Sequence, residues 1–343
     1  MKKLFLLVVM STNLCSAQIK THSGKVINPV VFERNIKQAM DSLKVPGMSI
    51  AIINNGRVVY AKGFGYTDLM EKKPVTVNTY FEAASMSKPV FSYYVLKLAK
   101  QGVIDLDKPL CSYLPAPDIN DDRYQKITAR MVLSHTTGLP NWRETEKIKL
   151  SFDPGTAFSY SGEGYVYLAK VIAHLKNRTL KNLDEDFQQE VAVPLKLKNF
   201  HLVLTRGIES NMATGYQNGG KVHDERDRYS FDPAGGMYAN VSTYAAFLVR
   251  LMAQQSQFKP LFKPIISLKT EEPIRKYFGI DAWTAGLAVI PLAGSANYWH
   301  GGNNLGYTSS FMIDPVKKFG YVYFTNADQC NDMKTVFESI LWK

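Results

Sequence analysis

The chain has 343 residues, of which 45% are hydrophobic and 21% charged, a composition typical of a folded protein and unlike that of disordered or collagen-like chains. Its 41 Lys and Arg against 30 Asp and Glu give a formal charge of +11. The basic residues are scattered along the chain and form no recognisable nucleic-acid-binding module, so no nucleic-acid partner is expected. Such a basic surface suits an anionic envelope or acidic substrates.

The first 17 residues have a basic start, a short apolar stretch and a small-residue end. This pattern predicts a secretory signal peptide over residues 1–17, and hence an exported protein, periplasmic or secreted. Lipid anchoring at Cys15 is the alternative. No apolar stretch reaches the roughly 20 residues of a membrane-spanning helix, so no transmembrane segment is predicted. Export would permit a disulfide between Cys111 and Cys330, but two cysteines in a chain of this size are as readily free.

The remaining chain, residues 18–343, is predicted to form a single domain of two lobes. Apolar spacing predicts a helix over 31–43, and two β-prone runs, 48–53 and 58–64, flank an Asn-Gly pair that favours a hairpin. Helical spacing then dominates the middle of the chain, and strand character returns only near its end. Helices are predicted over 90–99, 165–175, 244–252 and 333–342, and late strands over 285–291, 309–313 and 321–325.

Strands from both ends of the chain therefore flank a helical middle. The fold class that this order favours is α/β (α+β), an antiparallel sheet flanked by helices with an inserted, mostly helical lobe. The α/β lobe is expected from about 18–80 and 270–343, and the helical lobe from about 81–269.

The sequence lacks the usual signatures of metal, nucleotide and nucleophile-elbow sites: Cys-x-x-Cys, His-Glu-x-x-His, Walker or dinucleotide glycine loops, and Gly-x-Ser-x-Gly. Neither a metal nor a cofactor is therefore expected. Ser-x-x-Lys occurs twice, at Ser85 to Lys88 and at Ser256 to Lys259. Only Ser85 opens a strong apolar helix, whereas Ser256 trails the end of one and runs into Pro260.

Residues three apart on a helix share a face, which places Lys88 beside the Ser85 hydroxyl. A lysine whose pKa is lowered by burial can take the proton of a serine and make it a nucleophile. The alternative is that Ser85 only caps the helix and Lys88 is solvated. Further along, Tyr160 could shuttle a proton, and glycines after His300 would let a substrate approach the main chain. The corresponding alternatives are a core aromatic and an ordinary glycine turn.

Five elements in this order resemble the serine β-lactamase and penicillin-recognising superfamily, on its class C branch. They cover most of the chain from about residue 30 onward. The elements are Ser85-x-x-Lys88, Ser134-His135-Thr136-Thr137-Gly138-Leu139-Pro140, Tyr160-Ser161-Gly162, Pro233-Ala234-Gly235-Gly236-Met237-Tyr238 and His300-Gly301-Gly302.

The resemblance implies Ser85 as an acylated nucleophile, Lys88 as its base or hydrogen-bond partner, and Tyr160 as base and proton shuttle. It also implies a substrate-binding element at His300, Gly301 and Gly302, with the backbone N–H groups of Ser85 and Asn303 forming an oxyanion hole.

Two departures from the class C pattern bear on the substrate. Gly162 stands where those enzymes carry an asparagine whose amide meets the substrate, and His300 stands where they carry a lysine. The first removes a polar side chain, and the second replaces a permanent charge with a group that titrates near neutrality. Both favour a hydrolase other than a dedicated β-lactamase.

The sequence therefore predicts an exported serine hydrolase that works through an acyl-enzyme on a small-molecule ester, a peptide or a β-lactam, with esterase or peptidase activity ahead of β-lactamase activity. A D-amino-acid peptidase or carboxypeptidase acting on cell-wall peptides is one alternative. A penicillin-binding sensor that acylates without turnover is the other.

Overall fold

The computed structural model describes residues 18–144, 147–223, 225–328 and 330–343. The predicted signal peptide, Cys15 included, lies outside the described residues. Within the described ranges, no helix combines the length and the apolar character needed to cross a membrane.

The helices and strands of the described residues have the following bounds. The helices are α1 (Pro29–Ser42), α2 (Ser87–Lys100), α3 (Ala129–Leu133), α4 (Gly162–Leu175), α5 (Leu183–Phe187), α6 (Arg206–Glu209), α7 (Val241–Ala253), α8 (Pro273–Phe278) and α9 (Asp332–Leu341). The strands are β1 (Gly47–Asn54), β2 (Arg57–Asp68), β3 (Lys73–Pro74), β4 (Phe81–Ala84), β5 (Tyr216–Gln217), β6 (Gly220–Lys221), β7 (Met237–Ala239), β8 (Ile266–Ser267), β9 (Ala282–Trp283), β10 (Ala288–Leu292), β11 (Ser295–Asn304), β12 (Tyr307–Asp314) and β13 (Phe319–Thr325).

Nine strands form one antiparallel sheet in the order β3-β2-β1-β13-β12-β11-β10-β9-β8. The sheet thus joins strands from both ends of the chain through the pairing of β1 with β13, and the mixed fold class predicted from the sequence is confirmed. The predicted hairpin is β1 and β2, which turn at Asn55 and Gly56, both with positive φ.

The central strands are buried on both faces. Alternate residues of a strand point to opposite sides of the sheet. On one side Ile50 and Ile52 pack with α1 and α9, and on the other Ala51 and Ile53 pack in the core that contains α2, α4 and α7. The sheet is therefore the middle layer between a terminal pair of helices and the helical part of the chain.

The cysteines that export would allow to pair are free. Cys111 is half-buried and Cys330 is buried. Burial raises the pKa of the Cys330 thiol to about 11, so at neutral pH this cysteine is an unreactive thiol.

Candidate active site

Ser85 lies at the junction of β4 and α2, two residues before the helix begins. The preceding residue, Ala84, has a φ of +50°, a left-handed conformation that is unusual for a side-chain-bearing residue. The backbone N–H of Lys88 donates to the Ser85 carbonyl oxygen at 3.0 Å, so the two residues are joined by a single turn rather than by a regular helix. Ser85 remains partly exposed to a cleft.

The strand β11 approaches this junction closely, and Gly302 makes the approach possible. A Cβ at Gly302 would lie 2.3 Å from the Ala83 carbonyl oxygen and 3.0 Å from the Ala84 Cβ. On the neighbouring strand, the Ser309 hydroxyl donates to the same Ala83 oxygen at 2.7 Å. These contacts hold the segment that carries Ser85 against residues His300–Asn303 of β11. Any side chain at position 302 would force the two segments apart.

Lys88 is buried, and its Nζ lies 3.3 Å from Ser85 Oγ. Nζ also donates to the Ala234 carbonyl oxygen at 2.7 Å and lies 4.8 Å from the centre of the Tyr160 ring. Burial lowers the pKa of Lys88 to about 7, partly opposed by the negative charge of Asp232. A large fraction of this lysine is therefore neutral near pH 7, with a lone pair beside the serine hydroxyl.

Tyr160 faces the cleft from the loop before α4, and its hydroxyl lies close enough to Ser85 for the two groups to interact. Burial raises the pKa of its hydroxyl far above the usual value, so the phenol is neutral at physiological pH. A neutral phenol can pass a proton along but is a poor base in the resting site. The difference in pKa makes Lys88, rather than Tyr160, the group able to accept the serine proton.

His135 belongs to the Ser134–Pro140 motif and has no role assigned from the sequence. Its ring is buried and stacks on Tyr160 with centroids 4.3 Å apart. Its Nδ1 accepts a hydrogen bond from the Ser161 N–H at 3.0 Å, which places the ring proton of the neutral form on Nε2. Burial lowers its pKa well below the usual value. This histidine therefore supports Tyr160 as a neutral packing partner.

His300 lies in the middle of β11, opposite Phe311 of β12, and its ring is buried. Burial, with the nearby charge of Lys88, lowers its pKa to about 3. His300 Nδ1 lies 2.7 Å from the Gly301 carbonyl oxygen and donates to it. The expected titration near neutrality is therefore wrong, because the ring is neutral throughout the physiological range.

A cleft of about 200 Å³ opens above Ser85. Its floor carries the predicted residues Ser85, Tyr160, His300, Gly301, Gly302 and Asn303. The side chain of Asn303 accepts a hydrogen bond from the Thr308 hydroxyl at 3.1 Å. Four apolar residues that the sequence did not single out complete the wall, and Asn331 stands at its edge. These four are Ile274, Phe278, Trp283 and Trp299.

Gly162 begins α4 beside the cleft, where Asn141 and Trp142 cover it. Its N–H donates to the Asn141 carbonyl oxygen at 3.0 Å, and a Cβ at this position would lie 2.8 Å from that oxygen and 2.8 Å from the Trp142 ring. The neighbouring residue, Glu163, does not supply a polar group to the cleft. It forms a double hydrogen bond with Arg143 and lines a separate cavity of about 230 Å³.

Asp232 and Ala234 help to organise the site without lining the cleft. Asp232 Oδ1 accepts hydrogen bonds from the N–H groups of Ala234, at 2.8 Å, and Gly235, at 3.2 Å. This turn presents the Ala234 carbonyl to Lys88. The sequence signal was the Pro-Ala-Gly-Gly motif itself, in which Gly236 leaves room for the Asp232 side chain, since a Cβ there would lie 2.6 Å from the Asp232 Cβ.

The second Ser-x-x-Lys match is far less suited to chemistry, because Ser256 and Lys259 are both exposed. Among the residues that the structure describes, no group of His, Cys, Asp and Glu could hold a metal ion. What the Ser85 cluster offers is a half-exposed hydroxyl, a buried amine with a pKa near neutrality, and a neutral phenol in contact with both.

The sequence matches the model of the Beta-lactamase family over residues 32–337. It is 27% identical over 268 residues to a beta-lactamase of Escherichia coli K12, covering 73% of this chain and 67% of that protein. The chain matches three other curated relatives over only 61%, 31% and 38% of their own lengths.

Solved structures show the same fold. The beta-lactamase/D-alanine carboxypeptidase of Yersinia pestis superposes with a TM-score of 0.73 at 18% identity, over 92% of this chain and 98% of that one. EstCE1, described as a hydrolase with promiscuous acyltransferase activity, superposes with a TM-score of 0.75 at 19% identity, over 91% and 97% of the two chains. With the family model matched over most of its length, the chain belongs to the Beta-lactamase family.

Proposed function

We propose that the protein hydrolyses small esters through an acyl-enzyme on Ser85, with Lys88 as general base and Tyr160 as proton shuttle. The observation that carries this proposal is the 3.3 Å contact between Ser85 Oγ and the buried Lys88 Nζ, whose pKa of about 7 leaves it able to accept a proton. A hydroxyl is a poor nucleophile until such a base removes its proton.

In the first half of the reaction, Ser85 Oγ attacks the substrate carbonyl carbon while its proton moves to Lys88 Nζ. The carbonyl oxygen becomes an oxyanion, for which the N–H groups of Ser85 and Asn303 are the proposed donors. The bond to the leaving group then breaks, and the proton passes from Lys88 through the Tyr160 hydroxyl to the departing alkoxide. The alcohol leaves, and the acyl group stays on Ser85.

In the second half, a water molecule takes the place of the alcohol. Its proton moves to Lys88, directly or through the Tyr160 hydroxyl, its oxygen attacks the acyl carbon, and the ester bond to Ser85 breaks as Oγ regains a proton. The product is a carboxylic acid, and the enzyme returns to its starting state. No redox change or cofactor enters the sequence of steps.

Esters are preferred over β-lactams and carboxyl-terminal peptides in this proposal. A penicillin or a peptide C-terminus brings a carboxylate, and the residue nearest to the lysine position of class C enzymes is here the neutral His300. We also propose that the protein is exported, on the strength of the basic, apolar and small-residue order of residues 1–17. A D-amino-acid carboxypeptidase and a non-turnover sensor are the readings that the following experiment separates from esterase activity.

The test uses the purified protein with 4-nitrophenyl acetate, a fluorescent penicillin and a D-alanyl-D-alanine peptide, following labelling and turnover for each. Steady ester turnover, with a covalent serine probe adding its mass to Ser85, supports the proposal. Ser85→Ala should lose both, while Ser256→Ala should keep both. A probe adduct on the Ser85→Ala variant, or stoichiometric acylation with no turnover of any of the three substrates, would overturn it.

A further inference from the structure

The cleft above Ser85 is lined on one side almost entirely by hydrocarbon. Ile274 and Phe278 come from α8, a six-residue helix, and are both half-buried. Trp299 of β11 lies behind them, with its ring centre 4.8 Å from that of Phe278. Such an apolar wall stabilises the binding of an apolar substituent that it removes from water, but it does not stabilise a charged one.

His300 also lines the cleft, and its hydrogen bonding fixes what it can recognise. Because Nδ1 donates its proton to the Gly301 carbonyl, the neutral ring has no proton left for Nε2. Nε2 is buried and has no hydrogen-bond partner among the described residues. It is therefore a hydrogen-bond acceptor, and an acceptor repels the oxygens of a carboxylate, which are acceptors only.

We propose that the cleft selects esters whose acyl group is uncharged and apolar, that Phe278 and Ile274 set this preference, and that His300 excludes acyl groups bearing a carboxylate. This inference rests on the proposed acyl-enzyme function and names its substrate class. The acyl group is the part concerned, because it is the part that stays bound to Ser85 in the same cleft after the alcohol has left.

The experiment varies the acyl group and keeps the leaving group constant. Initial rates are measured for 4-nitrophenyl acetate, propionate, butyrate and pentanoate, and for mono-4-nitrophenyl glutarate, which has the chain length of pentanoate with a terminal carboxylate. Each methylene that packs on the apolar wall should raise kcat/KM roughly fourfold until the cleft is full. Pentanoate should exceed glutarate by at least about tenfold, since a buried carboxylate would lack a donor.

Two variants locate the effect. Phe278→Ala should flatten the chain-length series, reducing the ratio of pentanoate to acetate by roughly tenfold. Tyr277→Ala is the comparison variant: Tyr277 is largely exposed and does not line the cleft, but its ring packs on that of Phe278 with centroids 4.6 Å apart, so this variant should flatten the series less than Phe278→Ala. His300→Lys should raise the glutarate-to-pentanoate ratio by at least about tenfold, because a lysine supplies the missing donor and charge.

A flat chain-length series in the unaltered protein, or a glutarate rate equal to that of pentanoate, would overturn the inference. So would a series flattened equally by Tyr277→Ala and Phe278→Ala. Circular dichroism checks that each variant folds, and the series in the unaltered protein decides even where one does not. If Ser85-dependent hydrolysis persists without these preferences, only the inference fails; if no serine probe labels Ser85, the proposed function itself fails.

Discussion

Lys88 Nζ donates to the Ala234 carbonyl oxygen at 2.7 Å, and this contact ties the candidate base to a turn that Asp232 organises. The titratable groups around Lys88 are Tyr160, Tyr165, His135, His300 and Asp232. Both tyrosines have raised pKa values and both histidines have lowered ones, so all four are neutral near pH 7. Asp232 is therefore the group in this set whose charge stabilises the ammonium form.

Asp232→Asn should shift the acidic limb of the kcat/KM profile to lower pH. In the proposed mechanism neutral Lys88 is the active form, so the rate should rise with pH through its pKa of about 7. Removing the carboxylate charge lowers that pKa, because the negative charge of Asp232 favours the ammonium form. An asparagine oxygen can still accept from the Ala234 N–H, which separates charge from turn geometry. The pH profile for a neutral ester measures the shift, and an unmoved or higher limb would contradict the assignment.

Lys88 and Tyr160 should act on the same proton. The decreases in kcat caused by substituting each of them should therefore not be additive in free energy. Lys88→Met and Tyr160→Phe should each lower kcat, by roughly 10²- to 10⁴-fold for a lost acid–base group. The double variant should cost little more than the worse single one, as expected for residues that act as a unit. Steady-state kinetics on a neutral ester measure all three.

Tyr167→Phe provides the control for that cycle. The Tyr167 hydroxyl donates to the Leu114 carbonyl at 2.8 Å on the helical side of the chain, away from Ser85. Any decrease in kcat caused by Tyr167→Phe should combine with that of Lys88→Met as an independent factor. If the losses at Lys88 and Tyr160 also multiply as independent factors, the two residues do not share a proton path.

Gly162→Ala should lower the free energy of unfolding by about 1–3 kcal/mol, the usual cost of overpacking. The added methyl would meet a backbone oxygen of Asn141 and the Trp142 ring, each at 2.8 Å. Gly164→Ala is the matched control two residues along the same helix, where the nearest atom would be 3.4 Å away and the higher helix propensity of alanine should stabilise. Thermal or urea unfolding compares them, and equal stability changes would show that position 162 is not crowded.

The crowding at Gly162 also bears on the asparagine that class C enzymes carry there. A single Gly162→Asn change should destabilise the loop of Asn141 and Trp142 rather than present an amide to the substrate. The expected result is therefore a less stable protein whose ratio of β-lactam to ester hydrolysis does not rise. A folded Gly162→Asn variant with a clearly higher ratio would mean that Trp142 moves aside without cost.

Stability should fall as the pH drops from about 6.5 to 5, before most carboxylates titrate. The pKa values of His135 and His300 are lowered by burial, so in this range the unfolded chain takes up protons that the folded protein cannot. Each such group contributes a slope of up to about 1.4 kcal/mol per pH unit. His135→Asn should make the slope shallower, while the exposed His174 provides the control variant His174→Asn. Urea unfolding at several pH values measures this, and an unchanged slope would contradict it.

The local parts of this molecule can be predicted from the order of its residues. Three features depend on near neighbours in the chain, whose geometry is set by backbone periodicity and turn conformation. They are the Asn55-Gly56 turn, the apolar spacing of α2, α4 and α7, and the proximity of Ser85 and Lys88, which are three residues apart. The strand β11 escaped prediction because its glycines and asparagines are typical of a turn. Pairing with β10 and β12 on both sides overrides that preference.

The chemical character of the site, in contrast, depends on contacts between residues that are distant in the chain. Whether His300 is charged depends on burial and on the Gly301 carbonyl, and whether Lys88 is a base depends on being enclosed by Tyr160, Tyr165 and the turn at Asp232. The apolar wall of Ile274 and Phe278 comes from a segment with no motif at all. These properties arise where residues far apart in the chain exclude water from one another, and solvent exclusion over such distances leaves no trace in local spacing.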